Sequence, residues 1–319
     1  MHSPTPELPR AFLDKLSLLL DEVQLEQVLN SFSREKPTTF RINTLKGSIQ
    51  DTTAELCAAQ FNLTPVPWLP SAFHIPPEQR RALTETDAFY QGRIYIQNLS
   101  SMVAPFLLAP QPGETVLDLA AAPGGKTLQI AAMMENQGRL SAVEAVKNRF
   151  FKLKANLDQQ GATMVKTYLT DGRSVGNKCP EMFDRVLLDA PCSSEARFSL
   201  LDPSSWEHWS TRKVSEVARK QKRLLQSAFT SLKVGGVMIY CTCSFSPEEN
   251  EHVVNHLLKK YGSCVSIESI DLPFSNTMAG ITHWQKKTYD DALTQCRRIL
   301  PNEIMDGFFI CKLRKQAAC

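Results

Sequence analysis

Two cysteines stand where apolar, strand-like runs end, and they are the residues in this chain with the most chemistry to offer. Cys243 follows Val237-Met238-Ile239-Tyr240 and precedes Ser246-Pro247-Glu248-Glu249, a helix start, so a strand end would hold it where clefts form in open α/β sheets. That position suits a nucleophile, and it also suits a packed structural thiol. Cys192 repeats the arrangement after Asp184-Arg185-Val186-Leu187-Leu188-Asp189 and Ala190-Pro191. A zinc site could draw on Cys179, Cys192, Cys241 and Cys243, but the paired C-x-x-C spacing is missing, and so is the redox motif of the same form. Packing alone accounts poorly for two Cys-Ser steps at one sheet edge. His252 and His256 lie four apart on a helix but lack the Glu of H-E-x-x-H, so they read as surface residues and no metal site is expected.

A nucleoside-type ligand is the second expectation. Thr115-Val116-Leu117-Asp118-Leu119 reads as a first buried strand running into Ala120-Ala121-Ala122-Pro123-Gly124-Gly125-Lys126-Thr127, whose small residues let backbone approach a ligand. This turn is neither G-x-G-x-x-G nor a Walker loop, which disfavours NAD and ATP. A second strand, Leu140 to Val143, ends in Glu144, at the place where an acid meets a ribose diol. A third, Met164 to Leu169, leads to Asp171-Gly172, which is either an adenine contact or an ordinary turn. S-adenosylmethionine fits this set better than a dinucleotide.

The elements that must carry these residues divide the chain in two. With 319 residues, 43% of them hydrophobic, it can bury a full core. Residues 1–92 read as a small α+β domain: amphipathic helices over 10 to 33, a β-prone run Thr38 to Lys46, then a stretch broken by Pro65, Pro67, Pro70, Pro76 and Pro77. Residues 93–319 alternate strands with longer helices, the pattern of a mostly parallel sheet. The clearest helix, 211 to 232, carries six cations, among them Arg212, Lys213, Arg219 and Lys220, on what is either a solvated face or an RNA contact. The outward residues of the early strand, Arg41, Asn43 and Lys46, are further candidates for phosphate. A net charge of +3 does not argue for nucleic acid by itself. Nine scattered cysteines point to reduced thiols, and the absence of a membrane-length apolar run, with a polar opening Met1 to Pro6, points to the cytoplasm and to no membrane partner.

Asp118-Leu-Ala-Ala-Ala-Pro-Gly-Gly-Lys-Thr127, Asp189-Ala-Pro-Cys-Ser193 and Thr242-Cys243-Ser244 together resemble the NOL1/NOP2/Sun (RsmB/NOP) family of RNA 5-methylcytosine methyltransferases. Phe40-Arg-Ile-Asn-Thr-Leu-Lys46, Tyr95-Ile-Gln97, Arg298-Ile-Leu-Pro301 and Asp306-Gly-Phe-Phe309 extend the resemblance over most of the chain. It implies a class I S-adenosylmethionine-dependent methyltransferase, a Rossmann-like seven-stranded α/β sheet with a small N-terminal α+β RNA-binding domain, working as a monomer on rRNA or tRNA. It also implies roles: Cys243 bonds to cytosine C6, Cys192 helps release the product, Asp189 holds the base's N3 and N4 edge, and Lys126 lies near both base and cofactor. Residues 120 to 126 and Asp189 would line the cofactor, with Glu144 and Arg149 on its ribose side and Asp171 on its adenine side. Two departures stand out: Ser193-Ser194-Glu195-Ala196-Arg197-Phe198 replaces a glycine-containing loop, and Cys241 stands where serine is more usual. An RNA-binding protein with little turnover, or an enzyme methylating another base or a protein, are the alternatives to such an activity.

Overall fold

The computed structural model describes residues 7–318; Met1 to Pro6, whose polar character entered the reading above, and Cys319 lie outside the described residues. Four short strands form an antiparallel sheet in the order β2-β3-β1-β4: β1 (Thr38–Ile42), β2 (Thr64–Pro65), β3 (Ala72–Ile75) and β4 (Ile94–Ile96). The main sheet contains β5 (Thr115–Asp118), β6 (Arg139–Glu144), β7 (Val165–Leu169), β8 (Phe183–Asp189), β9 (Leu232–Thr242), β10 (Val265–Glu268) and β11 (Thr277–Ala279). A hairpin, β12 (His283–Trp284) with β13 (Lys287–Thr288), stands apart, and β14 (Arg297–Ile299) and β15 (Phe308–Lys315) complete the main sheet.

Nine strands belong to that sheet, and seven of them keep the order β7-β6-β5-β8-β9-β15-β10, in which β5 to β9 pair parallel and β15 runs antiparallel between β9 and β10. This is the class I methyltransferase arrangement, with the short β14 and β11 added beside β15. The central strands are apolar because helices cover both faces: Val116, Leu117, Val186, Leu187 and Leu188 are all buried. The helix Thr211–Ser231 starts where Ser210 accepts from the Lys213 N–H, and it buries Val214, Ala218, Leu224, Leu225, Ala228 and Phe229 at helical spacing.

The N-terminal region is less separate than a boundary at residue 92 implies. β4 lies beyond that boundary yet completes the first sheet. The helices Arg10–Leu19 and Glu22–Phe32 bury Phe12, Leu16, Val28 and Phe32 in the same core as Leu188 and Phe245 of the large sheet. Amphipathic spacing showed that these helices bury a face and was silent on which core receives it.

On β1 the outward reading fails for two of three residues. Phe40 and Ile42 fill the N-terminal core, so Arg41 and Asn43 point the other way, but that face is covered and both are buried. Burial lowers the Arg41 guanidinium to about 10, and its Nε and Nη2 have no hydrogen-bond partner. The Asn43 Nδ2 donates to Gly92 O at 2.9 Å, Gln160 O at 2.7 Å and Gln160 Oε1 at 3.0 Å, tying the strand to the helix Lys147–Gln160. Gly92 is needed at this junction, since at φ +73° an added Cβ would lie 2.4 Å from Gln159 O. Lys46 alone of the three is exposed. Asn43→Ala is therefore expected to lower stability by ~1–3 kcal/mol in urea unfolding, the cost of orphaned buried acceptors, and to leave the RNA affinity of the folded protein unchanged.

Candidate active site

Parallel pairing brings the carboxyl ends of β5, β6, β8 and β9 to one edge, where ligands bind open α/β sheets. Asp118 closes β5, Glu144 closes β6, and the register Asp189↔Cys241 sets the ends of β8 and β9 side by side. The two loops that leave β8 and β9 then carry Cys192 and Cys243 to a sulfur separation of 3.1 Å. Neither thiol belongs to a disulfide; Cys57, Cys179, Cys241, Cys296 and Cys311 are free as well, whereas Cys264 is disulfide-bonded.

The two thiols are electrostatically unequal. The hydrogen bond from Cys192 and the nearby Arg197 charge together lower Cys243 to about 6, against the opposing effect of burial. The same bond and burial push Cys192 well above the ordinary thiol value. The contact geometry admits either sulfur as donor, and this inequality favours Cys192 as the S–H and Cys243 as the thiolate, which is the nucleophilic form. Alkylation of Cys243, followed by peptide mass spectrometry, is expected to rise with pH to a plateau with a midpoint near 6, while Cys192 stays unlabelled there. A Cys243 midpoint at the ordinary thiol value would contradict the assignment.

Beside the thiols, the Lys126 Nζ donates to Asp189 Oδ2 at 2.6 Å and to Ser101 Oγ at 3.1 Å. Burial is the largest single influence and works against the Lys126 charge, but the charge and hydrogen bond of Asp189 together with Cys241 outweigh it and raise the ammonium above its ordinary value. Lys126 reaches Asp189 because the helix Gly125–Met133 begins in the tight turn Ala120 to Gly124, and Gly125 packs where a Cβ would lie 3.0 Å from Tyr95. Asp189 Oδ1 accepts from the Cys241 thiol at 3.7 Å, so the cysteine that replaces the more usual serine serves the same carboxylate.

A cleft of about 570 Å³ is lined by Asp118, Ala120, Ala121, Ala122, Pro123, Gly125, Lys126, Arg149 and Asp189. A second, of about 300 Å³, joins Glu144, Arg149, Asp171, Asp189, Cys192 and Cys243. Every cofactor-side residue expected from the sequence lines one or the other, except Gly124, which lies between Pro123 and Gly125 in the same turn. Two buried carboxylate oxygens there have no hydrogen-bond partner, Asp118 Oδ1 and Glu144 Oε2, the second lying 3.6 Å from the Arg149 Nη1. Burial raises the Asp118 carboxyl to about 7. Orphaned acceptors of this kind fit the hydroxyl and ammonium donors of S-adenosylmethionine. The Arg149 Nη2 donates to Ala122 O at 2.5 Å and bridges the two clefts.

The cations of the long helix are less concentrated. Arg212, Lys213, Arg219 and Lys220 are exposed, Arg212 is paired with Glu216 at 3.2 Å, and Lys220 alone lines the cleft of the cysteines. Sequence reasoning passed over Asp118, Arg197, Glu195 and Glu249 as site residues. Arg197 lines both clefts and Glu195 is fully buried. The one available signal was the departure at Ser194 to Arg197, which marked the loop but not its partners.

With this geometry in place, comparison with known proteins decides the family. The model of 16S rRNA methyltransferase RsmB/F matches residues 105–314, and the N-terminal domain of 16S rRNA methyltransferase RsmF matches residues 8–99. The chain belongs to the RsmB/F family. A ribosomal RNA small subunit methyltransferase F from Vibrio parahaemolyticus is 37% identical over 99% of this chain and 64% of its own length. One from Vibrio vulnificus strain YJ016 is 38% identical over 100% of this chain and 66% of its own length. The chain therefore spans about two thirds, or slightly less, of the curated relatives it matches. A crystal structure of a methyltransferase homolog protein from Pyrococcus horikoshii superposes with a TM-score of 0.79 at 32% identity, covering 97% of this chain and 100% of that one. Among the described residues of this RsmB/F member, no helix is long and apolar enough to cross a membrane.

Proposed function

We propose that the chain methylates C5 of a cytosine in small-subunit ribosomal RNA, with S-adenosylmethionine as methyl donor. The observation that carries this reading is the pair of unequal thiols 3.1 Å apart beside a Lys126–Asp189 ion pair. Cytosine C5 is a poor nucleophile, so chemistry there needs a thiolate to add to C6 first and turn the ring into an enamine. Cys243, the acceptor of the pair, is that thiolate.

Asp189 accepts from the exocyclic N4 amino group, which uracil lacks, and Lys126 beside it steadies the charge that develops in the ring. The bound cofactor supplies an electrophilic methyl group. Asp118 and Glu144 bind its donors, and the backbone of Ala120 to Gly125 shapes its seat. Once C5 carries both a methyl group and a proton, the proton must leave and the C6–S bond must break, returning its electron pair to Cys243. Cys192 serves this step. It gives its S–H proton to the departing Cys243 sulfur, 3.1 Å away before the base binds, which lowers the cost of expelling that sulfur, and the Cys192 thiolate so formed takes the C5 proton.

The target base must leave its stack to reach the thiols, which loop or single-stranded RNA permits most readily. Lys46 of the N-terminal domain and Lys213, Arg219 and Lys220 of the long helix are exposed to meet the phosphates on either side. The relatives' names carry the choice of small-subunit rRNA over tRNA. The test is methyl transfer from labelled S-adenosylmethionine to small-subunit rRNA, assembled subunits and tRNA, with nucleoside analysis. Label in 5-methylcytidine from the small-subunit rRNA is expected. Label in another nucleoside or in protein, or RNA binding with no transfer, would overturn the reading.

A further inference from the structure

The loop of each cysteine reaches across to the other through a buried carboxylate. Glu195, three residues after Cys192, accepts mostly from the loop of Cys243. Its Oε2 receives the N–H groups of Phe245 at 3.0 Å and Ser246 at 2.8 Å and the Ser244 hydroxyl at 3.0 Å. Its Oε1 receives the Ser246 hydroxyl at 2.6 Å and the Trp209 Nε1–H at 2.9 Å. Glu249, six residues after Cys243, does the reverse. Its Oε2 accepts from the Ser193 N–H at 3.0 Å and from Gln221 Nε2 at 2.9 Å, and its Oε1 from the hydroxyls of Ser193 and, at 2.9 Å, Ser244. The Ala196 N–H also donates to Cys243 O at 3.1 Å.

Burying two carboxylates this completely is costly unless each is fully bonded, and here each is bonded to backbone and hydroxyl groups next to a cysteine. Neither carboxylate lines either cleft of the active site, so binding substrate directly does not account for them. Packing does not account for them either, since an apolar side chain in place of Glu195 could fill the same space but would leave the buried Phe245 N–H without its acceptor.

We propose that Glu195 and Glu249 are positioning residues, reciprocal clamps that hold the loops of Cys192 and Cys243 in register and so set the spacing of the two thiols. Their value to catalysis rests on the methyl-transfer reading above, but the clamp itself does not. Ser244 is the pivot: its single hydroxyl hydrogen lies between Glu195 Oε2 and Glu249 Oε1, and its oxygen accepts from the Ser246 N–H at 3.1 Å. Burial and the neighbouring Glu195 raise the Glu249 carboxyl to about 7. Glu195 accepts from five donors, and the Lys15 Nζ lies 3.8 Å from its Oε1. Its amide replacement would turn an N–H group toward N–H or O–H donors whichever way it faced.

The test uses the whole chain without RNA or cofactor. At equilibrium in a glutathione redox buffer, two thiols and one glutathione disulfide exchange for one protein disulfide and two glutathione thiols. The fraction with Cys192 joined to Cys243, read by peptide mass spectrometry, gives their effective concentration toward each other. Glu195→Gln is expected to lower it about tenfold or more, as the loss of charge-assisted bonds would. Ser193→Ala removes a small, half-buried hydroxyl from the Glu249 side, folds with little strain, and is expected to lower it by several-fold. An unchanged effective concentration in folded Glu195→Gln, or in Ser193→Ala should the first variant not fold, overturns the clamp. In methyl transfer the same variants are expected to lower kcat, counted per folded molecule by circular dichroism, with KM for RNA kept. If no methyl transfer occurs in any form of the protein, the disulfide equilibrium still reads the clamp on its own.

Discussion

Cys192→Ala is expected to leave RNA joined to the protein through denaturation, while Cys243→Ala forms no adduct and loses methyl transfer by a factor on the order of 10⁴ or more. The asymmetry follows from the inequality of the two thiols. In the proposed mechanism Cys243 makes the bond to C6, and without it C5 never becomes nucleophilic. Cys192 is assigned to the step in which that bond breaks. Its removal leaves addition intact and takes away the group that eases departure of the Cys243 sulfur, so the adduct accumulates and turnover falls by roughly 10²-fold or more. An adduct surviving in the double variant would show that neither role is assigned correctly.

Asp189→Asn is expected to cost a factor of about 10²–10³ in kcat with little change in RNA affinity, measured by single-turnover methyl transfer and by RNA titration. The carboxylate meets Lys126 at 2.6 Å on one oxygen and the Cys241 thiol on the other, so it is held in place before any base arrives. An amide keeps the shape but removes the negative charge. It offers N4 at best a neutral acceptor and leaves the buried Lys126 ammonium without its counter-charge. Discrimination between cytosine and uracil is expected to fall along with the rate, because the exocyclic amino group is what the carboxylate reads.

Much of this was legible in the residues themselves. The strands that end in Asp118, Glu144 and Asp189 announced themselves as apolar runs closed by an acid, and a parallel sheet brings such ends to one edge whatever the details. Cys192 and Cys243 were legible for the same reason, since each follows such a strand. The face of β1 was not legible. Alternation located Phe40 and Ile42 inside, but only tertiary packing shows that Arg41 and Asn43 are buried as well, Asn43 against Gln160 of the helix Lys147–Gln160. The helices of residues 10 to 32 show the same limit, because amphipathic spacing names a buried face without its partner. Glu195 is the sharpest case. Its fifty-residue separation from Phe245 and Ser246 leaves no local trace, and a charged residue in a polar loop reads as solvated until the loop from β9 closes over it. Its Oε2 lies 2.8 Å from the Ser246 nitrogen.

The proposed mechanism turns on a bond between Cys243 and the pyrimidine ring. Peptide mapping of the adduct trapped with Cys192→Ala, after nuclease and protease digestion, is its test. One modified peptide is expected, spanning Thr242-Cys243-Ser244 and carrying a C5-methylated cytidine nucleotide on the Cys243 sulfur. A nucleotide on any other residue, or no covalent product under conditions where wild-type protein transfers methyl groups, would contradict it.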